Sequence, residues 1–239
     1  MTVQTEALDS RRLILFDIDE TILSSDGAGR RAITRVMRAV HADIPDDALK
    51  INMSGKTDPQ IFSEILSIAN KSYSDKEAIL NVFLAPYLKA LDEEIAGAGS
   101  YYMHEGVMDL LLALASHKEA YLALLTGNVE TGARMKLKPF DLNKYFPFGA
   151  FGSDSANRLD LPAVALERAK EHYDIDFAPE QVVVIGDSVN DILCAHNHGA
   201  RCIAVSTGKT PREDLEKLQP AYLFSNLSNT DNVVNAIFS

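Results

Sequence analysis

LILFDIDETIL, residues 13–23, runs four apolar residues straight into acid: Asp17, Asp19 and Glu20 fall within four positions before Thr21 and a return to apolar character. A short continuous apolar run reads as a strand buried on both faces. Carboxylates at its end put charge where an open parallel sheet binds ligands. Four more runs of the same kind follow, YLALL (121–125), FGAFG (148–152), VVVIG (182–186) and RCIAV (201–205), with a weaker one at AYLF (221–224). Amphipathic patterns of helical length lie between them, such as Val107, Leu110, Leu111, Leu114 and Leu161, Val164, Ala165, Leu166. This alternation predicts an α/β fold with a doubly wound, Rossmann-like parallel sheet.

The stretch from Ser24 to Gly99 breaks the alternation and reads as helices without a good strand. Ile33, Val36, Met37 and Val40 share a face, as do Ile61, Phe62, Ile65, Leu66 and Ala69, and again Leu80, Leu84, Tyr87, Leu88, Leu91 and Ile95. Gly27 and Gly29 precede the block and Gly97 and Gly99 close it, as hinges would. The expectation is a helical cap domain, 24–99, inserted after the first strand of a catalytic core formed by 1–23 and 100–239. The alternative is a set of helices covering one face of the sheet.

Composition bounds the function. The 239 residues are 46% hydrophobic and carry a formal net charge of -11. Such an acidic chain lacks the basic footprint of a nucleic-acid binder. Cys194 and Cys202 form no CxxC pair and read as small buried side chains in a reducing cytosol. No apolar run approaches the ~20 residues of a membrane helix. The first residues, MTVQTEALDSRR, lack the apolar core of a signal peptide and suggest a short, loosely ordered start. The expected location is cytoplasmic, without membrane or nucleic-acid partners, as a monomer or homodimer. The six histidines are scattered and argue against zinc.

Three strand ends carry the chemistry: Asp17 and Asp19 after the first, Thr126, Gly127 and Asn128 after the second, and Asp187, Ser188 and Asp191 in VVVIGDSVNDI. Each alone is an ordinary turn or cap. Crowded together, Asp17, Asp19 and Asp187 would repel one another, and a hard cation such as Mg²⁺ would relieve them. An aspartate can attack phosphorus, and a carboxylate two positions on can move the proton. Thr126 and the amides after it can bind phosphoryl oxygens.

Taken in order, DIDET, LTGN and GDSVND resemble the haloacid dehalogenase superfamily, over nearly the whole chain. The helical insert resembles the cap of its phosphoglycolate phosphatase and β-phosphoglucomutase-like branch. The resemblance implies Asp17 as nucleophile and metal ligand, and Asp19 as acid/base with its carbonyl on Mg²⁺. It implies Asp187 as direct or water-mediated ligand, Asp191 in support, and Thr126 with the amides near Ile18, Gly127 and Asn128 on the phosphoryl group. Asp19 separates the chain from the true dehalogenases, which lack it. Two departures stand out. Glu20 occupies a position that is glycine in many of these phosphatases. The usual third-motif lysine is missing from SDSANRLDLPAVALERA, and before the helix of that stretch Arg158 is the candidate to supply the charge. Gly55 and Lys56 lie in a loop that, in this branch, closes over the site and selects substrate. GKT at 55–57 is no P-loop, because Lys50 stands where the first glycine belongs. Thr57 with Gln60, and Thr210 with Glu213, have capping-box spacing. Lys209 borders the site at most. The expected function is Mg²⁺-dependent hydrolysis of a small phosphorylated metabolite, phosphoglycolate-like or a sugar phosphate, through an aspartyl-phosphate. A phosphosugar mutase is the alternative, and a non-catalytic regulatory protein on the same scaffold is the third reading.

Overall fold

The computed structural model describes residues 10–239, so the loosely ordered start expected over the first residues lies outside the described residues. In chain order the elements are β1 (Arg12–Phe16), β2 (Leu23–Ser24), α1 (Ala28–Val40), α2 (Asp58–Ile68), α3 (Lys76–Ala96), β3 (Tyr102–Met103), α4 (Val107–Ser116), β4 (Ala120–Thr126), α5 (Glu130–Leu137), β5 (Gly149–Phe151), α6 (Leu161–Tyr173), β6 (Val182–Gly186), α7 (Val189–Asn197), β7 (Arg201–Val205), α8 (Arg212–Lys217), β8 (Tyr222–Phe224) and α9 (Thr230–Phe238). Six strands form one parallel sheet in the order β5-β4-β1-β6-β7-β8.

Alternation along the strands explains the continuous apolar runs. Leu13 and Leu15 of β1 join Val182 and Val184 of β6 in one core layer, under α6, α7 and α8. Ile14, Phe16, Val183 and Ile185 face the other, under α4, α5 and α9. Burial on both faces keeps polar residues such as Arg12, Thr126 and Arg201 to the strand ends, and each fully buried Leu, Ile or Val contributes about 1.5–3 kcal/mol. The chain first builds outward from β1 through β4 to β5, then returns to β6 on the other side of β1. The strand order therefore reverses at β1, and the loops after β1, β4 and β6 meet at one edge.

The helices α1, α2 and α3 share a third apolar cluster, which includes Ile33, Phe62, Phe83 and Tyr87 and draws only Val129 from outside residues 24–99. A short antiparallel ribbon, β2 with β3, pairs Leu23 with Met103 and Ser24 with Tyr102 at the two crossings of the chain. These strands, of two residues each, are too short to show a period. Of the four bracketing glycines only Gly27 takes a positive φ; Gly29 lies inside α1, where it packs against Lys136. Val40, expected on the buried face of α1, is 37% exposed.

The capping expectations divide. Thr57 caps α2 by accepting from the Gln60 amide at 3.2 Å, but the Gln60 side chain reaches forward to Glu64, so the reciprocal bond is missing. Thr210 caps nothing: Pro211 is the residue before α8, and its fixed φ starts that helix without a side-chain cap. Both cysteines are buried and unpaired. No helix among the described residues is long and apolar enough to cross a membrane.

Candidate active site

Asp17 leaves β1 with its amide bonded to the carbonyl of Ile185 on β6, so the β1 and β6 loops start side by side. Thr126 ends β4, the other neighbour of β1. Oxygens of Asp17, Asp187 and Asp191 all lie within 4.8 Å of one another, and all three residues are buried. Arg158 enters from the turn before α6 and is 5% exposed. One nitrogen, Nη2, donates to Asp17 Oδ1 at 3.0 Å, to Asp191 Oδ1, and to the Leu125 carbonyl at 3.3 Å. Its Nε is buried without a partner.

Asp191 is spent on structure. Oδ1 takes Arg158, and Oδ2 takes the Ser188 hydroxyl at 2.6 Å and the Ser188 amide at 3.0 Å. Asp187 accepts only the Thr21 hydroxyl, at 3.3 Å, among the described residues. Three buried carboxylates thus face one guanidinium, and burial together with the charges of Asp191 and Asp17 drives the Asp187 carboxyl well above its usual range. Burial also pushes Asp17 up to about 7, eased by Arg158 and reinforced by Asp191 and Asp19. A cluster of oxygens with excess negative charge and no sulfur or imidazole fits a hard divalent cation.

Asp19 is held by a residue the sequence reading missed. Lys136 Nζ donates to Asp19 Oδ1 and Oδ2, both at 2.7 Å, and to Asn128 Oδ1 at 2.7 Å. Asn128 Nδ2 completes the ring by donating to Asp19 Oδ2 at 2.7 Å and to Thr126 Oγ1 at 2.9 Å. The Asn128 side chain is therefore engaged with Asp19 and Lys136 rather than free. Burial alone would raise the Asp19 carboxyl. The Lys136 charge, with hydrogen bonds from Lys136, Asn128 and Ser25, reverses this and holds it below its usual range. Lys136 itself is 3% exposed. Gly132, Ala133, Lys136 and Leu137 form one buried face of α5, and a lysine there needs a buried anion.

Ile18 is fully buried and turns the chain, its carbonyl accepting from the Ile22 amide at 2.9 Å. Glu20 stands at φ 60°, the left-handed region in which glycine is at ease. Its side chain points back along the loop and accepts from the Ser24 hydroxyl at 3.0 Å.

The loop before α2 closes the site from the helical side. Gly55 takes φ +67°, and a Cβ there would stand 2.3 Å from Ser188 Oγ. The Asp58 amide donates to the Gly127 carbonyl at 2.8 Å, and the Val129 amide to Asp58 Oδ2 at 2.9 Å. Burial raises the Asp58 carboxyl to about 6, against the pull of Lys136. Thr57 Oγ1 donates to the Ala156 carbonyl at 2.6 Å. Lys56, expected to face an anion, pairs with Glu64. A cavity of ≈ 170 Å³ remains between loop and sheet, with Asp17, Asp19, Thr126, Lys136, Arg158 and Lys209 on its wall.

The contact of the two loops has no room for a side chain. A Cβ on Gly127 would stand 2.0 Å from the Lys56 carbonyl oxygen. Gly127→Ala is expected to cost about 1–3 kcal/mol, as overpacking does, and to loosen the loop over the cavity. A lower melting temperature together with a raised KM checks it.

Known proteins resemble this chain over most of its length. A family model described as haloacid dehalogenase-like hydrolase matches residues 11–199. A phosphoglycolate phosphatase of Vibrio cholerae is 26% identical over 235 residues, covering 95% of this chain and 98% of its own. The tyrosine-protein kinase PtkA of Mycobacterium tuberculosis is 24% identical over 212 residues, covering 87% of this chain and 67% of its own. A hydrolase structure from Pseudomonas syringae matches with a TM-score of 0.73 at 19% identity, over 96% of this chain and all of that one, which speaks to the fold alone.

Proposed function

The chain belongs to the haloacid dehalogenase-like hydrolases, and from that premise we propose that it is a Mg²⁺-dependent phosphatase acting on a small phosphorylated metabolite through an aspartyl-phosphate on Asp17. The observation that carries this reading is the buried group of Asp17, Asp187 and Asp191, two of them paired with Arg158, at the point where the strand order reverses. Residues 24–99 act as the cap in this reading, and the loop 54–58 is the part that meets substrate.

A bound cation would neutralise charge on the carboxylates and on the transferring phosphoryl group; Asp17 and Asp187 would hold it, with the Asp19 carbonyl, while Asp191 steadies Arg158. Asp17 attacks phosphorus. Arg158 and Thr126 take up charge that spreads over the phosphoryl oxygens, where most of the gain in such reactions lies. Asp19 gives a proton to the leaving alcohol and later takes one from water, which releases phosphate and restores Asp17. Held by Lys136, Asp19 is ionised and set for the second step. To give a proton in the first, its carboxyl must turn from Lys136 toward the leaving oxygen. Lys136 is thus a positioning residue. The small cavity, ≈ 170 Å³, suits a small phosphorylated molecule with water as acceptor, which sets this reading apart from the activity that the mycobacterial relative's name describes.

The direct test is phosphate release from a panel of phosphorylated metabolites, with Mg²⁺ and with chelator. Mg²⁺-dependent release is expected. Release only with a bisphosphate primer would mark a mutase, and no turnover with either would leave the non-catalytic reading.

Lys136→Met is expected to lower kcat by about 10²-fold on alkyl phosphates, the usual size of a general acid–base contribution. Removing the cation raises the Asp19 pKa, so the rising limb of the pH–rate profile should move to higher pH. A profile that keeps its position while the rate falls would make Lys136 merely structural.

A further inference from the structure

Arg158 is held by its guanidinium, and its backbone is held as well. The turn that carries it, Arg158–Asp160, leads into α6. On the outer side Asn157 Oδ1 accepts from the Leu159 amide at 3.2 Å, and Asn157 Nδ2 donates to Asp160 Oδ1 at 3.0 Å; both residues are exposed. On the inner side the turn meets α7. The Cys194 thiol donates to the Arg158 carbonyl at 3.3 Å, and His198 Nε2 donates to the Leu159 carbonyl at 2.6 Å. A carbonyl only accepts, so His198 carries a proton on Nε2 in this contact. Cys194 is fully buried, and burial pushes its thiol up to about 12 against the pull of Arg158, so it remains a donor at neutral pH.

Asp191, Cys194 and His198 follow i, i+3, i+7 spacing along α7 and the residue that closes it, so they share one face. All three meet the same short segment. Asp191 takes the Arg158 guanidinium, Cys194 the carbonyl of Arg158, and His198 the carbonyl one residue on. His196, two positions before His198, is exposed, whereas His198 is half-buried. Neither Cys194 nor His198 is on the cavity wall.

An arginine needs such a hold. Its stem is long and freely jointed. Nε of Arg158 is buried without a partner, and Nη2 alone makes the bonds to Asp17, Asp191 and the Leu125 carbonyl. The bond to Asp17 is 3.0 Å long. A drift of about 0.6 Å would take it past the reach of a hydrogen bond. The place of the backbone therefore decides whether the guanidinium serves Asp17 as well as Asp191. We propose that His198, together with Cys194, is a positioning residue for Arg158: from the end of α7 it fixes the turn so that Nη2 stays on Asp17 and on the phosphoryl group that Asp17 attacks. The inference rests on the phosphatase reading above, and it ties the helix that begins at the acidic cluster to the cation that faces that cluster.

The test is a double-mutant cycle read with p-nitrophenyl phosphate and Mg²⁺. That leaving group needs no proton, so the rate reports on attack at phosphorus, where Arg158 acts, and not on Asp19. His198→Phe keeps a ring and removes the donor. It is expected to lower kcat by about 10-fold or more, as a small misplacement of a catalytic group does, with KM nearly unchanged. His198→Gln, which can still donate to the Leu159 carbonyl, should recover most of the loss. In an Arg158→Lys background, His198→Phe should cost less than about twofold, because the fork it aims is gone. If His198→Phe does not fold, Cys194→Ala takes its place in the cycle and Cys194→Ser that of the conservative variant, and the same comparison decides. A loss of equal size in both backgrounds, or no loss in the folded single variant, makes these contacts mere packing and overturns the proposal, while the phosphatase reading stands as long as the wild type turns over. Wild type that releases no p-nitrophenol with Mg²⁺ strikes that reading, and the inference with it.

Discussion

Asp17→Asn abolishes turnover, by ~10⁴-fold or more as removal of a covalent nucleophile does, and leaves a protein that is more heat-stable without divalent cation. Both halves follow from one side chain. The amide keeps the shape of the carboxylate and can still accept from Arg158, but it cannot attack phosphorus. The stability gain follows from charge. In the native state burial holds the Asp17 carboxyl up at about 7, above its ordinary 3.8. A carboxyl with a raised native pKa binds its proton more tightly in the folded chain. Its ionisation therefore costs nothing below about pH 4, costs more as pH rises, and reaches its full cost above pH 7. Asparagine never pays that cost. The variant should melt roughly 2–10 °C above wild type at pH 8 in chelator, and the gap should shrink toward pH 4. Adding Mg²⁺ should raise the wild type more than the variant. Melting curves at the two pH values, with and without Mg²⁺, check each part. A variant that melts lower at pH 8 would show that Asp17 is stabilising in the absence of metal.

Arg158 carries the second large effect. Its guanidinium lies between two buried carboxylates, Asp17 and Asp191, and its side chain is 5% exposed. Truncation leaves both without their cation. Arg158→Ala is expected to cost about 3–5 kcal/mol, the usual result of breaking a buried ion pair from one side, with activity lost as well. Arg158→Lys separates charge from geometry. An ammonium restores the positive charge but lacks the planar fork and spans less readily to two acceptors. Stability should recover by more than half, while kcat stays about 10- to 100-fold below wild type. Thermal melts and steady-state rates of the two variants side by side decide it. Equal losses in both would mean that shape rather than charge makes Arg158 matter.

Much of this was legible from the residues. The six strands of the main sheet fall within a residue or two of their apolar runs, because burial on both faces of the inner strands leaves polar residues only at their ends. The strand order was not legible, since pairing of β1 with both β4 and β6 is a long-range matter that no local period records. Arg158 was readable only through the resemblance, which expects a lysine where this chain has none before the helix. Lys136 was not singled out, because ETGARMKLK looks like a solvated helix end until tertiary packing shows which lysine faces inward. The same holds for His198: in CAHNHG, nothing local says which histidine will find a carbonyl and which will face solvent. Thr210 misled for a simpler reason, as capping-box spacing was present but Pro211 already set the helix start.

The central claim is that phosphorus becomes bonded to Asp17 during turnover. Acid-quenching the enzyme with substrate and Mg²⁺, reducing the acyl phosphate with borohydride, and mapping peptides by mass spectrometry tests it most directly. The account predicts homoserine at position 17, and at no other aspartate, only when both substrate and Mg²⁺ are present. An enzyme that turns over while Asp17 stays unmodified, or that carries the modification at Asp19, Asp187 or Asp191, would contradict it.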